Sequence, residues 1–269
     1  MSEQLNIAIA GVAGRMGREL VRAALTRGHG ISGGTERGQA PDLGRPIGEL
    51  IGDQSVTSPV SDRVQTAAEG GSVWIDFTTP QATLNALQSL RETSVTAAVI
   101  GTTGFTADQD ALIATQAEHF TIVNAGNFSL GVNLLEHLVQ LAAARLGEDW
   151  DIEISETHHH HKVDAPSGTA LMLGEAAALG RGKSLSDVRA DPYNGTNAKR
   201  VGGQIGFSVQ RMGGVIGDHS VSFGTPQEVV TLSHRALDRA VFAHGAIRAA
   251  EWAKQQPPGL YHMGDVLGL

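Results

Sequence analysis

The run Glu156-Thr157-His158-His159-His160-His161-Lys162-Val163-Asp164-Ala165-Pro166-Ser167-Gly168-Thr169-Ala170 is the densest concentration of chemically capable side chains in the sequence. Histidine and lysine are the residue types most easily tuned to donate a proton near neutral pH. Just beyond them, Thr169 to Leu179 is a good helix former that stops at Gly180. A helix start presents unbonded backbone N–H groups and the positive end of its dipole, a ready site for a carboxylate or phosphate. Gly168 lets a ligand come close to the backbone, and Thr169 adds a hydroxyl. The stretch thus sets a proton source, His158 to Lys162, beside an anion site.

Three other readings of the run compete. A purification tag also contains consecutive histidines, but tags sit at termini and this run lies mid-chain. In a metal site only alternate histidines of an extended segment converge. The chain has no Cys and no helical His-x-x-x-His spacing, so no metal is expected. A solvated polar loop is the third reading.

The elements that must position these residues begin with a strand. Trp150, Ile152 and Ile154 alternate with Asp151, Glu153 and Ser155, the period-2 signature of a half-buried strand. The cluster therefore lies in a strand-to-helix connection. At the other end of the chain, Leu5 to Ala10 reads as a short apolar strand running into Gly11-Val12-Ala13-Gly14-Arg15-Met16-Gly17 and then a helical pattern over 18–27. Strand, glycine turn and helix are the context of a dinucleotide-binding fingerprint, here spaced G-x-x-G-x-x-G. Ile31 to Thr35 reads as the second strand, followed by Glu36 and Arg37. An acidic residue there suits the adenine ribose hydroxyls and an Arg suits a 2′-phosphate, so both NADH and NADPH are expected to be accepted.

After a Gly- and Pro-rich loop over 38–59, strands at 73–77, 95–100 and 120–123 alternate with helices at 81–91 and 106–119. That alternation predicts a Rossmann-like, doubly wound parallel sheet. Two strand ends carry polar turns, Gly101-Thr102-Thr103-Gly104 and Asn124-Ala125-Gly126-Asn127-Phe128-Ser129, which belong in the cofactor crevice because ligands bind beyond the carboxyl ends of parallel strands. Past Asn127 the pattern changes: a helix over 134–146, the Trp150 strand, and strand-like runs at 204–210, 215–223 and 228–233 with short connections. An α+β domain with a mixed or mainly antiparallel sheet is expected. The predicted boundaries are 1–126, completed by 238–269, for dinucleotide binding, and 127–237 for substrate binding and oligomerisation.

The chain has 269 residues, 41% hydrophobic and 18% charged, with a formal charge of −8, as expected of a soluble globular protein without a nucleic-acid surface. Zero Cys excludes thiolate catalysis and disulfides. With no apolar run of membrane-spanning length and no signal-like start, a cytoplasmic protein is expected.

Taken together and in this order, G-V-A-G-R-M-G, E-R, G-T-T-G-F, N-F-S-L-G-V-N, E-T-H-H-H-H-K-V-D-A-P-S-G-T-A and the closing D-V-L-G-L resemble the 4-hydroxy-tetrahydrodipicolinate reductase (dihydrodipicolinate reductase) family of bacterial lysine and diaminopimelate synthesis. The resemblance runs along essentially the whole chain, and the histidine–lysine stretch is its most specific part. It implies reduction of a cyclic, unsaturated dicarboxylate by NADH or NADPH, in a homotetramer built through the second domain's sheet. It makes His158 and Lys162 the proton donors, and His159, Gly168 and Thr169 substrate ligands. Gly11, Val12, Ala13, Gly14, Arg15, Met16, Glu36, Arg37, Gly101, Thr102, Thr103, Ala125, Gly126, Asn127 and Phe128 become cofactor contacts. The chain departs from the family's pattern at Thr79, where Arg is frequent, at Gly126, where Ala or Pro is usual, and at His160, often Arg.

Two competing classes lack support in the residues. Dehydrogenases acting through a thioester need a Cys. A regulator that only senses a nucleotide has no use for His158 and Lys162 beside an anion pocket. A metal-dependent hydrolase is the remaining alternative.

Overall fold

The computed structural model describes residues 3–269. The chain divides into two compact units, one built from the residues up to Ser129 together with Ala240–Leu269, the other from Leu130–Arg239.

In the first unit, β1 (Asn6–Ala10), α1 (Arg15–Thr26), β2 (Gly30–Thr35), α2 (Ile47–Ile51), β3 (Val60–Ser61), α3 (Val64–Ala67), β4 (Val73–Asp76), α4 (Pro80–Leu90), β5 (Ala97–Ile100), α5 (Ala107–Gln116) and β6 (Thr121–Asn124) succeed one another along the chain. The seven-stranded sheet runs β11-β6-β5-β4-β1-β2-β3, where β11 is Gly259–Tyr261, and its pairings are parallel. The order reverses between β1 and β4, the switch point at which such sheets bind ligands. Strands β4 and β5 are buried at every residue, which is why they read as short apolar runs without alternation. Leu87, Leu90, Ile113 and Phe120 close one face of the sheet around Trp74.

Two stretches carry more structure than their sequence suggests. The 38–59 loop contains α2, held by buried Ile47 and Leu50 and stopped by Gly52 in the left-handed region. The C-terminal tail adds β11 to the sheet edge beside β6 and ends in α10 (Met263–Leu267), after the long helix α9 (Ala240–Ala253). Segments this short do not display a period.

The second unit comprises α6 (Leu130–Leu146), β7 (Asp151–His158), α7 (Gly168–Gly180), α8 (Leu185–Val188), β8 (Ile205–Arg211), β9 (Asp218–Gly224) and β10 (Val229–Arg235). Its sheet runs β10-β9-β7-β8. Strand β9 is antiparallel to both neighbours, whereas β7 and β8 are parallel, because the chain between them crosses over through α7. The sheet is therefore mixed. Ile152, Ile154, Ile205, Val221 and Phe223 pack with Leu135, Val139, Leu173 and Ala177 of α6 and α7. Each large side chain among these contributes roughly 1.5–3 kcal/mol on burial, and this core makes β7 a rigid base for the histidine–lysine segment at its end. The strand expected from Val215 begins only at Asp218, since residues 212–217 fold into a turn bonded back to β7 and its extension through Met212 N–H to His158 O (2.9 Å) and His159 N–H to Val215 O (2.7 Å).

Candidate functional site

The glycine turn is shaped by what its backbone must approach. Gly11 sits at φ +62°, a conformation that favours glycine. A Cβ on Gly17 would lie 2.6 Å from Val12 Cα and closer still to Gly11 O, so only glycine lets α1 pack against the turn. Internal bonds occupy several of the turn's N–H groups: Val12 donates to Thr35 O (3.1 Å), Gly14 to Gly11 O (3.0 Å) and Ala13 to Glu36 Oε1 (3.0 Å). The first bond of the helix is Arg18 N–H to Gly14 O at 3.0 Å, so the amides of Arg15, Met16 and Gly17 lie ahead of the ladder, where a helix start receives phosphate.

Of the residues expected to touch a cofactor here, Val12 is buried outright and supports the turn, Glu36 is half-buried, and Arg15 and Arg37 are exposed. Ala13, Gly14, Glu36, Arg37 and residues 38–42 line a groove of about 880 Å³. A carboxylate that accepts from the turn with one oxygen and faces that groove beside a guanidinium is suited to a ribose with or without a 2′-phosphate. The cradle fits a dinucleotide: a backbone no Cβ may enter, a helix start for the pyrophosphate, and an acid–base pair at the ribose groove.

At the ends of β4 and β5 the chain is tied together by a buried acid. Asp76 Oδ1 accepts from Thr78 N–H (2.9 Å), Thr78 Oγ1 (2.6 Å) and Thr102 Oγ1 (3.3 Å). Burial pushes its carboxyl above the usual range against the opposing hydrogen bonds of Thr78 and Trp74. Thr102 thus points its hydroxyl inward, is buried, and leaves only its backbone for a ligand, while Thr103 is exposed beside it. Gly101 and Ala125 spend their N–H groups on Asp76 O (2.8 Å) and Ile100 O (3.1 Å). Gly126 is exposed, Asn127 Oδ1 accepts from Ser129 N–H (2.8 Å), and Phe128 is buried against Phe77 with ring centroids 5.3 Å apart. Phe128 is therefore a packing residue of the turn. Thr79, exposed at the start of α4, makes no side-chain cap.

In the second unit the parity of β7 decides the chemistry. Its burial alternates so that Ile152, Ile154, Glu156 and His158 share the inward side. The strand delivers an acid and a histidine two residues apart on one face. His158 Nδ1 lies 2.6 Å from Glu156 Oε2. Glu156, 2% exposed, also accepts from Ser167 N–H (3.0 Å) and from both terminal nitrogens of Arg211 (2.8 and 2.9 Å). Burial works to raise the Glu156 pKa, but the hydrogen bonds from Arg211, His158 and the Ser167 amide outweigh it and hold the carboxyl below its ordinary range. Behind His158, the His219 ring stands edge-on at 5.0 Å, its Nε2 3.1 Å from Ser167 Oγ. Burial, helped by the neighbouring His158, depresses His219 to about 4, so it is neutral at physiological pH.

Ser167 also caps α7, its Oγ accepting from Ala170 N–H at 3.2 Å. Gly168 and Thr169 form the first turn of that helix, and a Cβ on Gly168 would meet nothing within 4 Å. The helix start is thus open on the glycine side. Lys162 lies in the loop between β7 and α7 and donates to Asp164 Oδ1 at 2.8 Å. His159 Nε2 is 3.2 Å from Arg239, and burial together with that guanidinium lowers the His159 pKa, favouring the neutral ring. His160 and His161 are exposed, their rings 3.8 Å apart. Among the described residues no group of His, Cys, Asp and Glu is arranged to hold a metal ion.

The structure therefore gathers His158, His159, Lys162, Gly168 and Thr169 on neighbouring segments of one unit, and the glycine turn, Glu36, Arg37 and the 101–103 and 125–128 turns in the other. It gives contacts to Glu156 and Ser167, which lie in the run without an expected role, and adds Arg211, His219 and Arg239 from outside it. Glu156 is legible in principle, since the alternation that buries Ile152 and Ile154 continues to it and to His158. Arg211, His219 and Arg239 come from distant segments and carry no local signal.

Family models described as "Dihydrodipicolinate reductase, N-terminus" and "Dihydrodipicolinate reductase, C-terminus" match residues 5–128 and 131–267. The chain is 48% identical over 272 residues to the 4-hydroxy-tetrahydrodipicolinate reductase of Parvibaculum lavamentivorans, covering 100% of both chains. It is 49% identical over 264 residues to that of Ruegeria pomeroyi, covering 98% of each. Among solved structures, the dipicolinate-bound dihydrodipicolinate reductase from Paenisporosarcina sp. TG-14 superposes with a TM-score of 0.75 at 26% identity, over 97% of this chain and 98% of that one. An amine dehydrogenase from Mycobacterium smegmatis shares the fold alone, with a TM-score of 0.66 at 13% identity over 96% and 94%.

Proposed function

The chain belongs to the dihydrodipicolinate reductase family, and from that premise we propose how its residues carry out the family's reaction, the NAD(P)H-dependent reduction of 4-hydroxy-tetrahydrodipicolinate to tetrahydrodipicolinate in lysine and diaminopimelate synthesis. The reaction consumes one NAD(P)H and one proton and releases water. When bound, NAD(P)H supplies the hydride.

The first unit holds the nucleotide. The amides at the start of α1 take the pyrophosphate, Glu36 takes the ribose hydroxyls and Arg37 a 2′-phosphate where one is present. The second unit holds the dicarboxylate. Gly168 and Thr169, at the start of α7, take a carboxylate through the helix N-terminus, and His159 adds a polar contact. Loss of the 4-hydroxyl and a hydrogen from the adjacent carbon as water gives a conjugated C=C–C=N system, and hydride addition to it leaves negative charge that a proton must quench. His158 and Lys162 supply it.

The observation that carries this reading is the common anchoring of proton donors and anion site: Glu156 binds His158 through its side chain and, through Ser167 N–H, the residue that caps α7. Donor and helix start are held by one carboxylate. The test is to generate hydroxy-tetrahydrodipicolinate enzymatically and monitor NADH absorbance with the purified protein. Loss of one NADH per substrate is expected; no loss overturns the assignment.

The same proposal includes a homotetramer formed through the sheet of the second unit, whose β8 and β10 leave Val209, Val229 and Val230 exposed. Light scattering of the purified protein tests it. No described helix is long and apolar enough to cross a membrane, and reliance on NAD(P)H fits a place in the cytoplasm.

A further inference from the structure

We propose that Glu156 and Arg211 form a positioning pair that fixes the tautomer of His158 and couples it to the Lys162 loop. The proposal rests on His158 acting as a proton donor in the reduction.

The two oxygens of an ionised carboxylate accept about four hydrogen bonds and donate none. On Glu156 four are in place. Oε2 faces His158 Nδ1 (2.6 Å) and Arg211 Nη1 (2.8 Å), and Oε1 faces Ser167 N (3.0 Å) and Arg211 Nη2 (2.9 Å). Because the carboxylate accepts only, Nδ1 of His158 must carry its hydrogen. The exchangeable position is then Nε2. On that side stands Gly217: a Cβ there would come within 3.1 Å of Nε2, so the missing side chain leaves that nitrogen room. When the imidazolium acts, the Nε2–H bond breaks, its electron pair stays on the ring, and the proton forms a C–H bond at the carbon left electron-rich by hydride addition. Nδ1–H remains on Glu156 throughout, as in other histidines oriented by a buried acid.

Arg211 has a second duty. Its Nη2 also donates to the backbone oxygen of Asp164 at 2.6 Å, and Asp164 Oδ1 accepts from Lys162 Nζ at 2.8 Å. One guanidinium from β8 thereby holds the acid behind His158 and the loop residue that pairs with Lys162. A planar fork is needed for this, and Lys cannot replace it.

The charged and titratable groups around His158 are Glu156 on its own strand, Arg211 from β8 on that carboxylate, His219 from β9, which itself faces Asp218 and His234, and the adjacent His159, which in turn faces Lys162. His219, neutral, does not hold Nδ1, which leaves Glu156 and Arg211 as opposed influences on the ring. Their removal should act in opposite directions.

The experiment compares Glu156→Gln, Glu156→Asp, Arg211→Gln and His158→Ala with the parent protein, measuring kcat against pH, NADH affinity, and the His158 tautomer by ¹⁵N NMR. Glu156→Gln should lose the Nδ1–H tautomer, lower kcat at least about tenfold and move the alkaline limb of the kcat profile to lower pH. Arg211→Gln should move that limb to higher pH, Glu156→Asp should restore part of the rate, and NADH affinity should stay unchanged. A parental tautomer and parental pH limb in both Glu156→Gln and Arg211→Gln would overturn the proposal. His158→Ala separates the premise from the pair: full turnover in that variant overturns the donor assignment itself, whatever the Glu156 variants do.

Discussion

At the scale of single residues, groups that bind are distinct from groups that react. Thr169 stands at the open start of α7 beside Gly168, so Thr169→Ala should raise KM for the dicarboxylate about tenfold, the loss of one hydrogen bond to a charged group, with kcat little changed. An unaltered KM in steady-state assays would count against the anion site. If Glu36 and Arg37 divide cofactor recognition as proposed, Arg37→Ala should raise KM for NADPH by roughly tenfold and leave NADH unaffected, while Glu36→Ala should weaken NADH the more and loosen the turn, because Glu36 also accepts from Ala13 N–H. Parent catalytic efficiencies with the two cofactors should be comparable. Equal losses with both cofactors in Arg37→Ala would place its guanidinium away from a 2′-phosphate.

At the scale of elements, glycine and strand parity do most of the positioning. Gly17→Ala would press a Cβ into the turn between Gly11 and Val12, and should destabilise the first unit by roughly 1–3 kcal/mol while weakening NADH binding, checked by thermal unfolding and nucleotide titration. An unchanged melting temperature would mean that α1 sits further from the turn. The same elements explain what the sequence disclosed. The glycine turn, the 101–103 turn and the His158–Thr169 segment are local, and their residue types suggest the roles proposed for them. Strand β7 displays its period, and with it the inward parity of Glu156. Arg211 and His219 reach the site only because β8 and β9 flank β7 in the sheet, a pairing of distant segments that no local pattern encodes. The short α2, β3 and β11 are not legible because a few residues cannot show a repeat, and the helix starts at Gly168 instead of Thr169 because Ser167 supplies the cap.

At the scale of the whole molecule, burial of ionisable groups sets the response to acid. His219 is depressed to about 4 by burial. Its folded form is neutral while an unfolded histidine protonates near a pH of about 6.5, so the stability tied to it is complete above that pH and is lost as pH falls toward about 4, roughly 3 kcal/mol in all. Glu156, Asp164 and Glu251, all held below their ordinary range, add losses at lower pH still. Melting temperature should therefore fall steadily from about pH 6.5 to about pH 4, and His219→Asn should flatten that slope; a parental slope in the variant would contradict the assignment. The central claim proposed, that His158 and Lys162 protonate the dicarboxylate in the reduction, is met most directly by kcat in His158→Ala and Lys162→Ala measured beside NADH affinity. The expected result is a kcat lower by about 10²–10⁴ with NADH affinity retained; parental kcat in either variant would contradict the donor role of that residue, and in both the whole claim.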